Sequence, residues 1–230
     1  MAEVIVALDL PSGSDALRLL DRLPDVRWVK VGSILMTREG PDLVRVLTER
    51  GLRVFLDLKW HDIPNTVAEA VTAARELEVS MATVHALGGA AMMEAAAAAA
   101  GGRLGLVGVT VLTSHDPASY ARAVGRGEVE LADEVARLSA EAVRSGLAGV
   151  VCSPQEVALV RRRIGAEAWI VVPGIRNRSD PRHDQARASA PADAVTAGAT
   201  HLVVGRPILH ASEPGDAFRS FVEEAQCVRS

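Results

Sequence analysis

The stretch Phe55-Leu56-Asp57-Leu58-Lys59-Trp60-His61-Asp62-Ile63-Pro64-Asn65-Thr66 opens as an apolar strand that carries two opposite charges two residues apart. Side chains alternate across a strand, so Asp57 and Lys59 are expected on one side, with Leu56 and Leu58 on the other. A lone charge on a buried face is costly. An aspartate and a lysine about 6 to 7 Å apart along that face compensate each other, and Asp62, just past the strand end, adds a second carboxylate within reach. Pro64 disfavours helix at Ile63, and Asn65 is expected to be the N-cap of a helix running from Thr66 to Glu76. The stretch is therefore a strand, a charged tip, a tight turn and a helix.

The same unit recurs on both sides of it. Upstream, Val4 to Asp9 reads as a strand ending in an aspartate, and Pro11-Ser12-Gly13-Ser14 breaks it and caps a helix from Asp15 to about Leu23. Arg27 to Val31 is a strand carrying Lys30 near its end, followed by Gly32 and a helix through about Arg50. Downstream come Met81 to His85 with an alanine-rich helix, then Gly105 to Val111 ending in Leu112-Thr113-Ser114. A longer connection, Asp116 to Glu130, precedes a helix from Leu131 to Ser145. The sixth unit is Gly149 to Cys152 with a helix from Pro154 to Ile164, and the seventh strand and its end run from Trp169 to Arg176. The polar run Asn177 to Ser189 reads as a mobile surface loop. A short helix from Pro191, the strand His201 to Val204, Gly205-Arg206-Pro207 and a last helix after Pro214 complete eight units.

Eight alternations of short apolar strand and helix predict a single-domain (β/α)8 TIM barrel over residues 1–230, of the usual size of roughly 250 residues. A doubly wound open sheet is the competitor. The barrel is favoured because Asp9, Lys30, Asp57, Lys59, His85, Thr113, Arg176 and Arg206 all fall at C-terminal strand ends. A barrel gathers those ends at one mouth, whereas an open sheet strings them along an edge.

Composition narrows the function classes. A net charge of −4 with scattered arginines argues against nucleic acid as a partner. No run of about 18 apolar residues suggests a membrane span, and Met1-Ala2-Glu3 leads straight into Val4 without a signal sequence, so a cytoplasmic protein is expected. Cys152 and Cys227 match no disulfide or metal spacing and read as reduced thiols. Of the 25 basic residues only Lys30 and Lys59 are lysine. A compact ammonium that can give up a proton is what arginine does not supply.

Two constellations follow. Pro173-Gly174-Ile175-Arg176 and Gly205-Arg206-Pro207 occupy the loops after the seventh and eighth strands, where such barrels often hold phosphate. Each offers a glycine for close approach and an arginine for bidentate contact. Taken singly, either motif could be a glycine turn with a solvated arginine. Lys30, Asp57, Lys59 and Asp62 form the second group, an alternating set of charges facing that loop pair. A rim ion-pair network is the bland alternative. A lysine flanked by carboxylates suits a general acid better than a Schiff-base nucleophile, which needs a neutral amine. His61 and His85 read as packing or orienting residues, and no His, Asp or Glu cluster has metal-ligand spacing.

The motifs Val6-Ala7-Leu8-Asp9, Lys30-Val31-Gly32, Phe55 to Thr66, Val84-His85-Ala86, Thr110-Val111-Leu112-Thr113, Pro173-Gly174-Ile175-Arg176 and Val204-Gly205-Arg206-Pro207 together resemble the bacterial orotidine 5'-phosphate decarboxylase family. The resemblance implies decarboxylation of orotidine 5'-monophosphate to uridine 5'-monophosphate, without metal or organic cofactor, in a homodimer with shared sites. It implies Lys59 as proton donor, Asp57 near the substrate carboxylate, and Asp62 reaching in from the partner subunit. It further implies Asp9, Lys30 and Thr66 on the ribose, Thr113 on the pyrimidine edge, and Arg176, Gln185, Gly205 and Arg206 on the phosphate. Two positions depart from the family: the seventh loop lacks glycine from Asn177 to Gln185, and Trp60 stands where phenylalanine is common. The nearest rivals are Mg-dependent sisters of the same barrel group, of the 3-keto-6-phosphogluconate decarboxylase or hexulose-phosphate synthase type. A non-catalytic phospho-ligand binding barrel is the rival of another class.

Overall fold

The structure, a computed structural model, describes residues 2–176 and 189–227. In chain order the elements are β1 (Glu3–Ala7), α1 (Gly13–Leu20), β2 (Trp28–Gly32), α2 (Ser33–Glu49), β3 (Arg53–Trp60), α3 (Pro64–Glu76), β4 (Met81–His85), α4 (Gly89–Ala100), β5 (Gly105–Val109), α5 (Pro117–Ala123), α6 (Leu131–Arg144), β6 (Gly149–Val151), α7 (Val157–Ile164), β7 (Trp169–Val172), α8 (Pro191–Ala197), β8 (His201–Val204), α9 (Arg206–Leu209) and α10 (Pro214–Gln226). All strands pair in parallel and in sequence order, and β8 returns to β1 in the register Glu3↔His201 to Val6↔Val204. The sheet closes, so the expected (β/α)8 barrel is the architecture and the open sheet is excluded.

Alternation along the strands builds two apolar cores. Val4, Val6 and Leu8 face the helices, as do Val29, Val31, Val54 and Leu56, in an apolar layer that also includes Leu138 and Ala142 of α6. The other face fills the barrel with Ile5, Ala7, Trp28, Phe55, Met81, Val107, Val171 and Val203. Fully burying one such large side chain stabilises by about 1.5–3 kcal/mol. The N-terminal end of the barrel is plugged by rings. His201 meets Trp28 edge-on at 5.4 Å and Trp169 at 5.1 Å. Burial, then the charge of Arg53, holds the His201 imidazole down to about 4. With that end sealed, the layer left for polar side chains is the C-terminal mouth.

Four sequence expectations need correction. Asn65 is not the N-cap of α3: Pro64 takes the first helical position and Ile63 the cap, because a fixed φ and a missing N–H suit that place. The helix α2 is broken inside, where Gly40 adopts φ +64 before Pro41 restarts the turn. The connection Asp116 to Glu130 contains α5, which Asp116 caps through the N–H of Ser119, with the Ser119 hydroxyl accepting in return. β5 stops at Val109 rather than Val111. The expected mobile loop from Asn177 falls almost wholly outside the described residues.

Candidate active site

The inward-facing rows of the first four strands change from apolar to polar at their C-terminal ends. Ala7 is followed by Asp9, Trp28 by Lys30, Phe55 by Asp57 and Met81 by Thr83. These ends meet. Lys30, only 8% exposed, places Nζ 2.9 Å from Asp9 Oδ1 and 3.8 Å from Asp57 Oδ2. Lys59 Nζ lies 2.9 Å from Asp57 Oδ1. The result is an alternating chain, Asp9, Lys30, Asp57, Lys59, in which each inner charge has opposite charges on both sides. Pairing of this kind is what makes buried ions tolerable.

The backbone is deformed to make that chain. Lys59 adopts φ +53, and the β3–β4 register shifts between Leu56 and Trp60. A lysine in the left-handed region costs about 1 kcal/mol or more, so surrounding contacts must hold it. Thr83, fully buried, supplies them: its hydroxyl accepts the Lys59 N–H at 2.8 Å and donates to Asp57 Oδ1 at 3.1 Å. Asp57 and Lys59 thus share a side as period-2 geometry predicts, but a local break sets the final contact. Thr83 was not among the expected site residues. Its signal was its place two residues after Met81 and two before His85, the inward row of β4.

Asp62 does not join this chain within one molecule. It is exposed, and its Oδ1 accepts the N–H of Ile63 at 2.7 Å in the turn into α3. It forms no ion pair with Lys59 within a single chain, and Asp57 is the one carboxylate paired with Lys59 among the described residues. Thr66 is likewise exposed, in the first turn of α3. Gln185 lies outside the described residues.

Two cavities share the charged chain as a common wall. One, of about 500 Å³, is lined by Asp9, Lys30 and Asp57 on one side and by Gly174, Arg176, Gly205 and Arg206 on the other. Gly174 has φ +78, a conformation that suits glycine. The second cavity, of about 180 Å³, is lined by Lys59 and Thr113 with Val109, Val111, Val151 and Val171. Lys30, Asp57, Pro173 and Val203 line both. Pro173 is thus a wall residue in its own right, where the sequence marks it only as the start of a glycine turn.

Neighbouring groups take supporting places. His61 and His85 stack at 5.4 Å, and burial, then the charges of His61 and Lys59, lowers His85 to about 4. His85 Nδ1 accepts the N–H of Leu87, an orienting role as expected. Burial also pushes the Cys152 thiol up, away from nucleophilic use. Among the described residues no three His, Cys, Asp or Glu side chains form a metal-ligand group, and no helix is long and apolar enough to cross a membrane.

Fold and site together define a (β/α)8 barrel whose mouth joins a small apolar chamber to an arginine-lined cleft across paired lysines and aspartates. Comparison with known proteins gives this class its family. The sequence model of the orotidine 5'-phosphate decarboxylase / HUMPS family matches residues 2–221. The orotidine 5'-phosphate decarboxylase of Alkalilimnicola ehrlichii is 52% identical over 217 residues, 93% of this chain and 92% of that protein. That of Vibrio parahaemolyticus is 46% identical over 224 residues, 95% of each. The crystal structure of orotidine 5'-phosphate decarboxylase from Lactobacillus acidophilus superposes with a TM-score of 0.89 at 35% identity, covering 99% of this chain and 100% of that one. The chain belongs to the orotidine 5'-phosphate decarboxylase / HUMPS family.

Proposed function

We propose that this chain decarboxylates orotidine 5'-monophosphate to uridine 5'-monophosphate and CO2, the last step of de novo pyrimidine synthesis, with Lys59 as the proton donor. When the C6–carboxylate bond breaks, its electron pair stays on C6 and CO2 departs. The Lys59 ammonium gives a proton to C6, leaving a neutral amine that regains its proton from solvent after product release. The observation that carries this reading is the Lys59 Nζ held 2.9 Å from Asp57 Oδ1 on the wall of the valine-lined cavity. An ammonium fixed in advance by its carboxylate partner stabilises developing negative charge better than one that must be reoriented from solvent.

The remaining roles follow from the resemblance to the family. Asp57 fixes the ammonium and adjoins the departing carboxylate, Lys30 and Asp9 hold the ribose hydroxyls, and Thr113 meets the pyrimidine edge. Arg176, Gly205 and Arg206 hold the phosphate, with Gln185 as a further contact. Binding at that remote end favours the catalytic arrangement at the reacting carbon. No metal or organic cofactor takes part.

The site is completed in a homodimer. Asp62 and Thr66 are exposed beside Ile63, itself 66% exposed, at the mouth of the barrel. An exposed isoleucine flanked by two polar site candidates suits a surface that a second copy covers, with Asp62 reaching the partner's lysine and Thr66 its ribose site. The enzyme works as one barrel domain of residues 1–230 in the cytoplasm, on a small-molecule substrate, without nucleic acid or membrane partners.

The family also contains Mg-dependent sisters, so the test must separate them. Orotidine 5'-monophosphate is incubated with purified protein, with and without EDTA, and its ultraviolet spectrum followed. Conversion to the uridylate spectrum at equal rates in both is expected. Loss of activity in EDTA supports the sister reading, and uridylate binding without any conversion supports a binding barrel.

A further inference from the structure

The excursion between β5 and α6 carries a buried charge that the proposed chemistry does not use. Glu134 of α6 is 5% exposed, and four donors converge on its carboxylate. Arg137 donates from Nε at 3.1 Å and from Nη2 at 2.7 Å, Arg126 from Nη1 at 3.2 Å, and Tyr120 through its hydroxyl at 3.1 Å. The Arg137 hydrogen bond, as the largest cause, holds Glu134 down to about 2, while burial and then Glu134 push the Tyr120 phenol up to about 12. Arg137 shares α6 with Glu134, but Tyr120 belongs to α5 and Arg126 to the segment after it. The carboxylate therefore ties the excursion to a helix packed on the barrel.

From Tyr120 the contacts lead to the site. Its ring, 2% exposed, meets the His115 ring at 5.8 Å and 70°. The His115 N–H donates to the Leu112 carbonyl at 3.0 Å, closing the turn that contains Leu112 and Thr113. Both of those residues line the small cavity that also holds Lys59. An anchored carboxylate, a buried phenol and a ring contact thus support one wall of that cavity from behind, without touching the charged chain in front.

We propose that Glu134 is a positioning residue that acts through Tyr120 and His115 to hold Leu112 and Thr113 against the base of a bound nucleotide. This rests on the reading of the small cavity as the base site. A buried ion cluster is not in itself a stabilising choice, since apolar residues of similar volume often do as well. What several converging hydrogen bonds supply is a fixed geometry, which a wall that discriminates ligands needs.

The test compares two ligands that differ by the base. Affinities for uridine 5'-monophosphate and ribose 5-phosphate are measured by calorimetry on wild type and on Tyr120→Phe, which keeps both rings and removes only the hydroxyl. Measurements are made at a temperature where circular dichroism shows both proteins folded. Uridine 5'-monophosphate is expected to bind the variant about three- to tenfold more weakly, the scale of one hydrogen bond, while ribose 5-phosphate is unchanged. Glu134→Gln should shift the two ligands in the same pattern. Parallel weakening of both ligands, or no change in either, overturns the positioning role and leaves the base site standing. Wild-type protein that binds both ligands equally overturns the base-site reading itself.

Discussion

At the residue scale the site depends on one backbone distortion and the side chain that holds it. Lys59 at φ +53 is tethered by the buried Thr83 hydroxyl, which also bonds Asp57. Thr83→Val keeps the shape and deletes both hydrogen bonds, stranding the Lys59 N–H. A loss of about 1–3 kcal/mol in denaturant unfolding is expected, with turnover of orotidine 5'-monophosphate falling while phosphate-end affinity holds. Unchanged turnover would show that Lys59 needs no such tether. Asp57 and Lys59 were legible in the sequence because opposite charges at i and i+2 of an apolar strand are costly to bury unless they pair, and the two lone lysines drew attention to the same place. Thr83 was not, since a threonine in a strand is ordinary and its value lies in a partner 24 residues away. Asp62 was legible as a residue of interest but not in its direction, since its carboxylate turns to the N–H of Ile63 where Pro64 starts α3 two residues early.

At the element scale the barrel was readable because most strands are short apolar runs closed by glycine, proline or a charge. What escaped were features with weak periodic signal. The helix α5 is seven residues long and rests on its Asp116 and Ser119 caps, and the break in α2 depends on a single glycine. The plug of the barrel also belongs to this scale, since Trp28, Trp169 and His201 begin three different strands and meet only on closure. The native fold holds His201 neutral, with its value lowered from 6.5 to about 4. The unfolded chain takes up that proton below about 6.5. The contribution is therefore intact above pH 6.5 and is lost as pH falls toward 4, by up to about 3 kcal/mol, with His85 adding to the loss in the same window. His201→Phe keeps a ring between the indoles and should show a shallower fall in melting temperature from pH 6.5 to 4. A variant that tracks the wild type across that range would remove His201 as the cause.

At the scale of the whole molecule, closure of eight strands brings Asp9, Lys30, Asp57 and Thr83 from four neighbouring strands and loops to one mouth, and the arginine-lined loops of β7 and β8 to its other side. No local pattern specifies that meeting, and the sequence disclosed it only through the regular spacing of its units. The proposed completion by a second copy is not displayed by a single chain, in which Asp62 and Thr66 are exposed. Both levels are tested by one assay, turnover of orotidine 5'-monophosphate by Lys59→Ala, alone and mixed with Asp62→Ala. The variant alone should convert no substrate while still binding uridine 5'-monophosphate, and exchange of subunits in an equal mixture should restore about a quarter of wild-type activity through hybrid dimers that carry one intact site. Turnover by Lys59→Ala alone at a rate comparable to wild type would contradict the account.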